Sequence, residues 1–333
     1  MKKTIGLILI LVILTSFVSC GKKSDPKSRV FYGYFDTVCT VYDYTGGTER
    51  QFASFCEDVE GRIKEYHELL DIYNTYAGVV NLASVNSADC AVSVDERLFD
   101  FLAYAKQMHA LTDGEINIAF GSVLSVWHKY REEGTGIPSN LELSIANEHT
   151  DIENIILDYE NKTVKRADKQ LKIDAGALGK GYACEMIGEY IREKYGEGYV
   201  LDFGGNLKTV GSKPDGTGWK TGIKNPNEFS SEPFSYVFEI KNESVVTSGI
   251  NERFYTVSGV RYHHIIDKDT LMPKNDYASV TVRAESAALC DALSTALFNM
   301  EKQEIETLLS KISGVKVILI YPDGKILELS SLK

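Results

Sequence analysis

The chain has 333 residues, is 44% hydrophobic and 25% charged, and carries a formal net charge of −11. That composition speaks against a disordered chain, and the length allows one large unit or two intimate ones with a sizeable core. The acidic balance, with no basic stripe interleaved with aromatics, speaks against a nucleic-acid partner, because phosphate binding needs clustered Lys and Arg.

The N-terminus reads as an address. Lys2 and Lys3 precede an apolar run from Ile5 to Leu14, followed by Thr15, Ser16, Phe17, Val18, Ser19 and Cys20. Charge, apolar stretch and small residues in that order mark a secretory signal, and the run is too short for a comfortable membrane span. Phe17-Val18-Ser19-Cys20 resembles a bacterial lipobox, although Phe17 stands where Leu is usual; a plain signal peptide cut nearby is the alternative. The expected division is a signal over 1–19, a lipidated Cys20 with a polar tether over 20–29, and one catalytic unit over 30–333. The expected location is extracytoplasmic, with the chain held at the membrane by lipid. Five further cysteines show no CxxC and no metal spacing, and read as small buried hydrophobes.

Val30 to Tyr44 is rich in aromatic and β-branched residues and predicts a strand. Apolar residues from Phe52 to Leu70 recur at helical spacing, so a helix is expected over about 50–72. Leu98 to Met108 marks a second helix, ended by Thr112-Asp113-Gly114. Strands are expected at Ile152–Leu157 and Gln170–Ile173, with a turn at Asn161-Lys162. A third helix runs through Ala183 to Ile191, and a strand from Tyr199 to Phe203 enters Gly204-Gly205. Strands follow at Tyr236–Ile240, Ser244–Thr247 and Val280–Val282, then helices at Ala288–Met300 and Glu301–Ile312. A hairpin around Asp323-Gly324 closes the chain. Strands and helices mix without regular βαβ alternation, which predicts an α+β fold with mixed sheets and packed helices.

Four segments hold more glycine and polar residues than structure alone demands. Asp174-Ala175-Gly176-Ala177-Leu178-Gly179-Lys180-Gly181 follows a strand and opens a helix, where backbone N–H groups and Lys180 suit a phosphate; an ordinary strand–helix turn has the same composition. Gly204-Gly205-Asn206 permits close backbone approach by a ligand, or makes a tight turn. Thr247-Ser248-Gly249 with Arg253 precedes His263-His264, of which at most one faces a given site if both lie in a strand. Asp291 and Thr295 are four residues apart on an otherwise apolar helix face and need a partner there. A hard cation such as Mg²⁺ suits oxygen ligands beside a phosphate; a helix cap or buried hydrogen bond is the alternative.

The order of these segments resembles the ApbE family, the FAD:protein FMN transferases. The likeness runs from about Phe35 to Phe298 and includes Leu70-Asp71-Ile72-Tyr73-Asn74, Asn81, Asp113 to Ile118, Trp127, Asp174 to Tyr182, Gly204-Gly205-Asn206, Thr247-Ser248-Gly249, His264-Ile265-Ile266-Asp267 and Asp291 to Ala296. The resemblance implies Mg²⁺ held by Asp291, Thr295 and the carbonyl of Ala177, with Ser294 close by. It implies Asp174 and Lys180 at the nucleotide, with Phe35, Tyr73 and Trp127 lining the flavin and adenine pockets. Gly204, Gly205, Asn206, Ser248, Gly249 and Ile265 complete the implied cofactor set, and His264 is the implied base. The implied reaction moves FMN from FAD to a Thr or Ser hydroxyl of an exported or membrane acceptor protein, with release of AMP. Lys268, Leu271, Ala119, Phe35 and Glu185 depart from the family's usual Pro, Gly, Thr, Met and Asp. Two other readings use the same residues: Mg²⁺-dependent hydrolysis of FAD to FMN and AMP, and a lipoprotein that only binds flavin.

Overall fold

The computed structural model describes residues 25–227, 230–251 and 253–331. The signal peptide, the lipidated Cys20 and the tether residues 21–24 expected from the sequence lie outside the described residues. In chain order the elements are β1 (Lys27–Tyr34), β2 (Thr37–Asp43), α1 (Glu49–Leu70), α2 (Leu82–Ser87), β3 (Val92–Ser93), α3 (Glu96–Leu111), α4 (Gly121–Glu133) and α5 (Asn140–Asn147). Then come β4 (Ile155–Asp158), β5 (Thr163–Arg166), α6 (Gly179–Tyr195), β6 (Tyr199–Phe203), β7 (Asn206–Val210), β8 (Trp219–Lys224) and β9 (Phe234–Ile240). The last are β10 (Ser244–Gly249), β11 (Phe254–Val257), β12 (Val260–His263), β13 (Ser279–Ala284), α7 (Ala287–Asn299), α8 (Lys302–Leu309), β14 (Lys316–Ile320) and β15 (Ile326–Ser330).

The frame is an eight-stranded sheet in the order β1-β2-β6-β7-β10-β13-β14-β15. Every pairing in it is antiparallel, which makes the fold α+β as expected. One face packs against α1, α6 and α7 around a core that includes Val59, Ile63, Ile187, Val246, Leu293 and Phe298. The other face carries Val200, Val245, Ile318 and Ile320 under the β8–β9 hairpin, whose Trp219, Ile223, Phe238 and Ile240 cover them. A smaller cluster joins α4 to the β11–β12 hairpin through Trp127, Phe120 and Ile266, with Tyr255 and Tyr262 against it.

Two expected elements differ. The single strand over Val30–Tyr44 is a hairpin, because Gly33 at φ 84° marks a bulge and Phe35 and Asp36 turn the chain at φ 51° and 52°. Gln170–Ile173 is no strand and makes a single bridge, Lys172 to Phe120. The partner of β4 is β5, immediately past Asn161-Lys162. Asp158 accepts the amide N–H groups of Glu160 and Asn161 at 3.0 and 3.1 Å, which tightens that turn and closes the register early.

Candidate active site

The site forms where α6 and α7 cross. Ahead of α6, the Gly176 N–H donates to Asp174 Oδ1 at 2.7 Å and the Asp174 N–H donates to the Ile118 carbonyl at 2.8 Å, folding the segment through Ala177 into a turn. No side chain caps α6, and its first turn holds no acid. The Gly179 N–H donates to the Ala175 carbonyl at 2.7 Å and the Gly181 N–H donates to Asp291 Oδ2 at 2.7 Å, which leaves the Lys180 N–H as the first-turn donor open to an anion. A Cβ at Gly181 would fall 2.2 Å from the Asp291 Cβ, so the helices reach this separation only with glycine there.

Asp291 is 4% exposed. Burial pushes its carboxyl above the usual range, opposed by Lys180, the Gly181 N–H and the Asn206 amide. Ser248, at the end of β10, lies 2.9 Å from Ser294 Oγ and 3.3 Å from Thr295 Oγ1, and Ser294 also donates to the Asp291 carbonyl at 3.1 Å. Asn206 Oδ1 is buried with no partner. The structure therefore brings Asn206, Ser248, Asp291, Ser294 and Thr295 into one oxygen-rich cluster. Among the described residues no three His, Cys, Asp or Glu side chains gather at a metal-sized site. Hydroxyl and amide oxygens around one carboxylate are hard donors, and they fit Mg²⁺.

The two histidines divide their work. His263 ends β12 and is 2% exposed. Its Nε2 donates to the Lys274 carbonyl at 2.9 Å and its Nδ1 accepts the Ile265 N–H at 3.2 Å, so both nitrogens serve the fold. Ile265 is likewise buried and enters the site's frame through its N–H. His264 lies past the strand. Its Nδ1 is buried and unpartnered. Burial, then Lys180, Arg253 and His263, hold its pKa down to about 3, against a hydrogen bond with the Arg253 backbone. It is a neutral imidazole with a free nitrogen, lining a cleft with Trp127, His128, Arg131, Tyr255 and Tyr262.

Trp127, Tyr255 and Tyr262 supply the aromatic lining of this cleft. Trp127 donates Nε1–H to the Leu271 carbonyl at 3.0 Å and stacks on Tyr262 at 6.0 Å. Tyr73 stands at the rim, its hydroxyl 3.0 Å from His128 Nδ1. Phe35 stacks on Phe203 at 6.2 Å. Arg253 donates to the Asp36 carbonyl at 3.1 Å and pairs with its carboxylate, also at 3.1 Å. Gly204 and Gly205 have φ 60° and 88°, making a tight hairpin turn. A Cβ at Gly204 would lie 1.9 Å from Thr37 Oγ1, so that glycine admits a protein neighbour, whereas Gly205 faces open space. Gly249 lies against the Ala278 carbonyl, 3.2 Å from where its Cβ would be. Arg253 belongs to the third segment marked in the sequence; His67, His128, Arg131 and Tyr255 carry no such signal there.

The ApbE family model matches residues 35–319. The FAD:protein FMN transferase of Treponema pallidum is 26% identical over 336 residues, covering 96% of this chain and 91% of that protein. The one from Klebsiella pneumoniae is 28% identical over 239 residues, covering 72% and 73%. Among solved structures, the ApbE protein from Thermotoga maritima superposes with a TM-score of 0.81 at 25% identity, covering 91% of this chain and 96% of that one. The flavin transferase ApbE from Vibrio cholerae shares the fold, with a TM-score of 0.74 at 21% identity over 92% and 98% of the two chains. The chain belongs to the ApbE family.

Proposed function

We propose that this chain is an FAD:protein FMN transferase that moves FMN from FAD to a Ser or Thr hydroxyl of an exported or membrane acceptor and releases AMP. One observation carries the reading: the buried Asp291 carboxylate takes the Gly181 N–H beside Lys180 and sits with the hydroxyls of Ser248, Ser294 and Thr295 at the start of α6. Hard oxygen donors, a cation and a helix N-terminus together suit a pyrophosphate. We take the unpartnered His264 imidazole as the base of the same site.

Asp291 and Thr295, with the Ala177 carbonyl and Ser294 nearby, would hold Mg²⁺, which supplies charge neutralisation for the phosphates when bound. Lys180 binds phosphate oxygens through its side chain and its open backbone N–H at the start of α6. Phe35, Tyr73 and Trp127 offer flat apolar surfaces to the rings. The acceptor oxygen attacks the phosphorus on the FMN side; the bond from that phosphorus to the bridging oxygen breaks, and AMP leaves with the oxygen. The acceptor proton passes to His264 Nδ1, which has no other partner. Phosphate charge beside Lys180 and Arg253 offsets their depression of His264 and makes it a stronger base once FAD is bound.

The test is purified protein with FAD and Mg²⁺, with and without an acceptor. AMP release that requires the acceptor, with FMN mass added to it, is the expected result. AMP release at the same rate without acceptor would mean hydrolysis, and no release in either case would overturn both. The lipid anchor belongs to this proposal too: labelled palmitate incorporation lost in Cys20→Ala tests it. No helix among the described residues is long and apolar enough to cross a membrane.

A further inference from the structure

We propose that His67 is a positioning residue for the FAD site and acts through the backbone of Phe35. The inference rests on the transferase reading above. His67 lies in the last turn of α1. Its Nδ1 is 3.2 Å from the Phe35 amide nitrogen and its Nε2 is 3.3 Å from the Tyr76 hydroxyl. Tyr76 in turn donates to Asp71 Oδ2 at 2.7 Å.

The protons in this chain have one consistent assignment. The Asp71 carboxylate is an acceptor only, so Tyr76 spends its single proton there. Tyr76 can then only accept from His67, which places a proton on Nε2. Nδ1 is left with a lone pair, and it takes the Phe35 N–H. A doubly protonated ring, or the tautomer with its proton on Nδ1, would set N–H against N–H at Phe35.

The same carboxylate reaches a second wall residue. Asp71 Oδ1 accepts the Tyr73 N–H at 2.7 Å and the Asn74 N–H at 3.1 Å. One chain, Asp71–Tyr76–His67, therefore fixes the backbone at both Tyr73 and Phe35. The hold is needed most at Phe35. Phe35 and Asp36 sit in the left-handed region at φ 51° and 52°, where a bulky residue is strained. The His67 ring also stands edge-on to Phe35 at 5.6 Å, and Phe203 stacks on the same ring at 6.2 Å. Arg253 holds the far side of the turn at Asp36. Without the His67 acceptor, the strain favours a relaxed turn that carries the Phe35 ring out of the wall.

The variants His67→Leu and His67→Asn separate the two roles of the ring, because asparagine keeps an acceptor near Nδ1 and leucine does not. With FAD and Mg²⁺, His67→Leu should weaken FAD binding about tenfold and His67→Asn by no more than about threefold, the scale of one hydrogen bond. Turnover at saturating FAD should change less than about twofold in both, since no reacting atom is touched. In a Phe35→Ala background His67→Leu should add almost nothing, because the effect runs through that side chain. The same tenfold loss in the Phe35→Ala background, or unchanged FAD affinity in His67→Leu, would overturn the proposal. If His67→Leu fails to fold, Tyr76→Phe removes the orienting acceptor more gently and should weaken FAD binding about threefold; unchanged affinity there would equally count against it. Hydrogen exchange at the Phe35 amide supplies a readout free of flavin. It should speed up in His67→Leu and not in His67→Asn, and equal rates would overturn the proposal. Wild-type protein that bound no FAD would sink the transferase reading, while the exchange comparison would still decide whether His67 holds the turn.

Discussion

The α6–α7 crossing and the β1–β2 turn, both assigned to the proposed FAD site, are built in opposite ways. At the crossing, tight geometry comes from residue choice: Gly181 removes a side chain so that Asp291 can approach, and Asp291 is buried among helical neighbours. At the turn, two residues with side chains occupy backbone space that suits glycine, and neighbours hold them there. A site built by residue choice fails sharply when one atom is changed. A site built by restraint fails by degrees as each restraint is removed.

The largest loss is expected at the crossing. Asp291→Ala should lower Mg²⁺-dependent AMP release by at least about 100-fold, since one substitution removes the sole carboxylate of the oxygen cluster. FAD binding should weaken far less, because the aromatic walls are untouched. Turnover within about tenfold of wild type at saturating Mg²⁺ would refute the metal assignment.

Next is the histidine pair. His264→Ala should slow transfer by about 10²–10⁴-fold, the usual contribution of a positioned base. His263→Ala should instead cost stability, about 1–3 kcal/mol, by stripping the Lys274 carbonyl and the Ile265 N–H of their partner. Reversal of the two phenotypes would mean that the wrong ring was assigned to the chemistry. The His264 depression also carries a pH signature. Its folded pKa, about 3, lies below the unfolded value of about 6.5, so protonation is easier in the unfolded chain. Folding is undisturbed above about pH 6.5, and stability falls as pH drops from there through about 3. The stability gap between wild type and His264→Gln, measured by denaturant titration, should therefore shift against the wild type across that window.

Gly181→Ala should follow, with a loss of about 1–3 kcal/mol in denaturant titration, the range for an added methyl group in a packed core. Its Cβ would meet the Asp291 side chain at 2.2 Å and the Ala287 carbonyl at 2.7 Å, so either α6 or α7 has to move. Activity should fall with it, because the Asp291 carboxylate moves too.

The contrast also explains what could be read in the sequence. The α+β class, the α1, α3, α6 and α7 helices and the oxygen cluster were legible because each depends on spacing: a 3.6-residue period, or two polar residues one turn apart on an apolar face. The β1–β2 hairpin was not. A two-residue turn of this kind is ordinarily announced by Asn-Gly or Asp-Gly, and here it is Phe35-Asp36. The information that bends the chain there lies in His67 and Arg253, remote in sequence and brought in by α1 and by the segment before β11. Leu271 repeats the lesson: it holds φ 61° without glycine, steadied by the Trp127 hydrogen bond to its carbonyl and by packing against the α4 cluster. Gln170–Ile173 misled for the converse reason. Its composition suits a strand, but the tight Asn161-Lys162 turn had already given β4 its partner.

The smallest effect tests the restraint idea most directly. Asp36 has φ 52°, and its side chain is largely exposed and pairs with Arg253 across solvent. An exposed pair of this kind contributes little to stability. Relief of the left-handed backbone by glycine contributes more, about 1 kcal/mol. Asp36→Gly should therefore raise stability by up to about 1 kcal/mol in denaturant titration. FAD affinity should not rise with it, because a glycine makes the turn easier to form and also easier to leave, and the Arg253 side-chain contact to Asp36 is gone. Higher stability with unchanged or weaker FAD binding would mean that the turn is strained in the service of the site. Lower stability would mean that the Asp36–Arg253 pair outweighs the backbone, and the turn would then be held by choice of residue, as the crossing is.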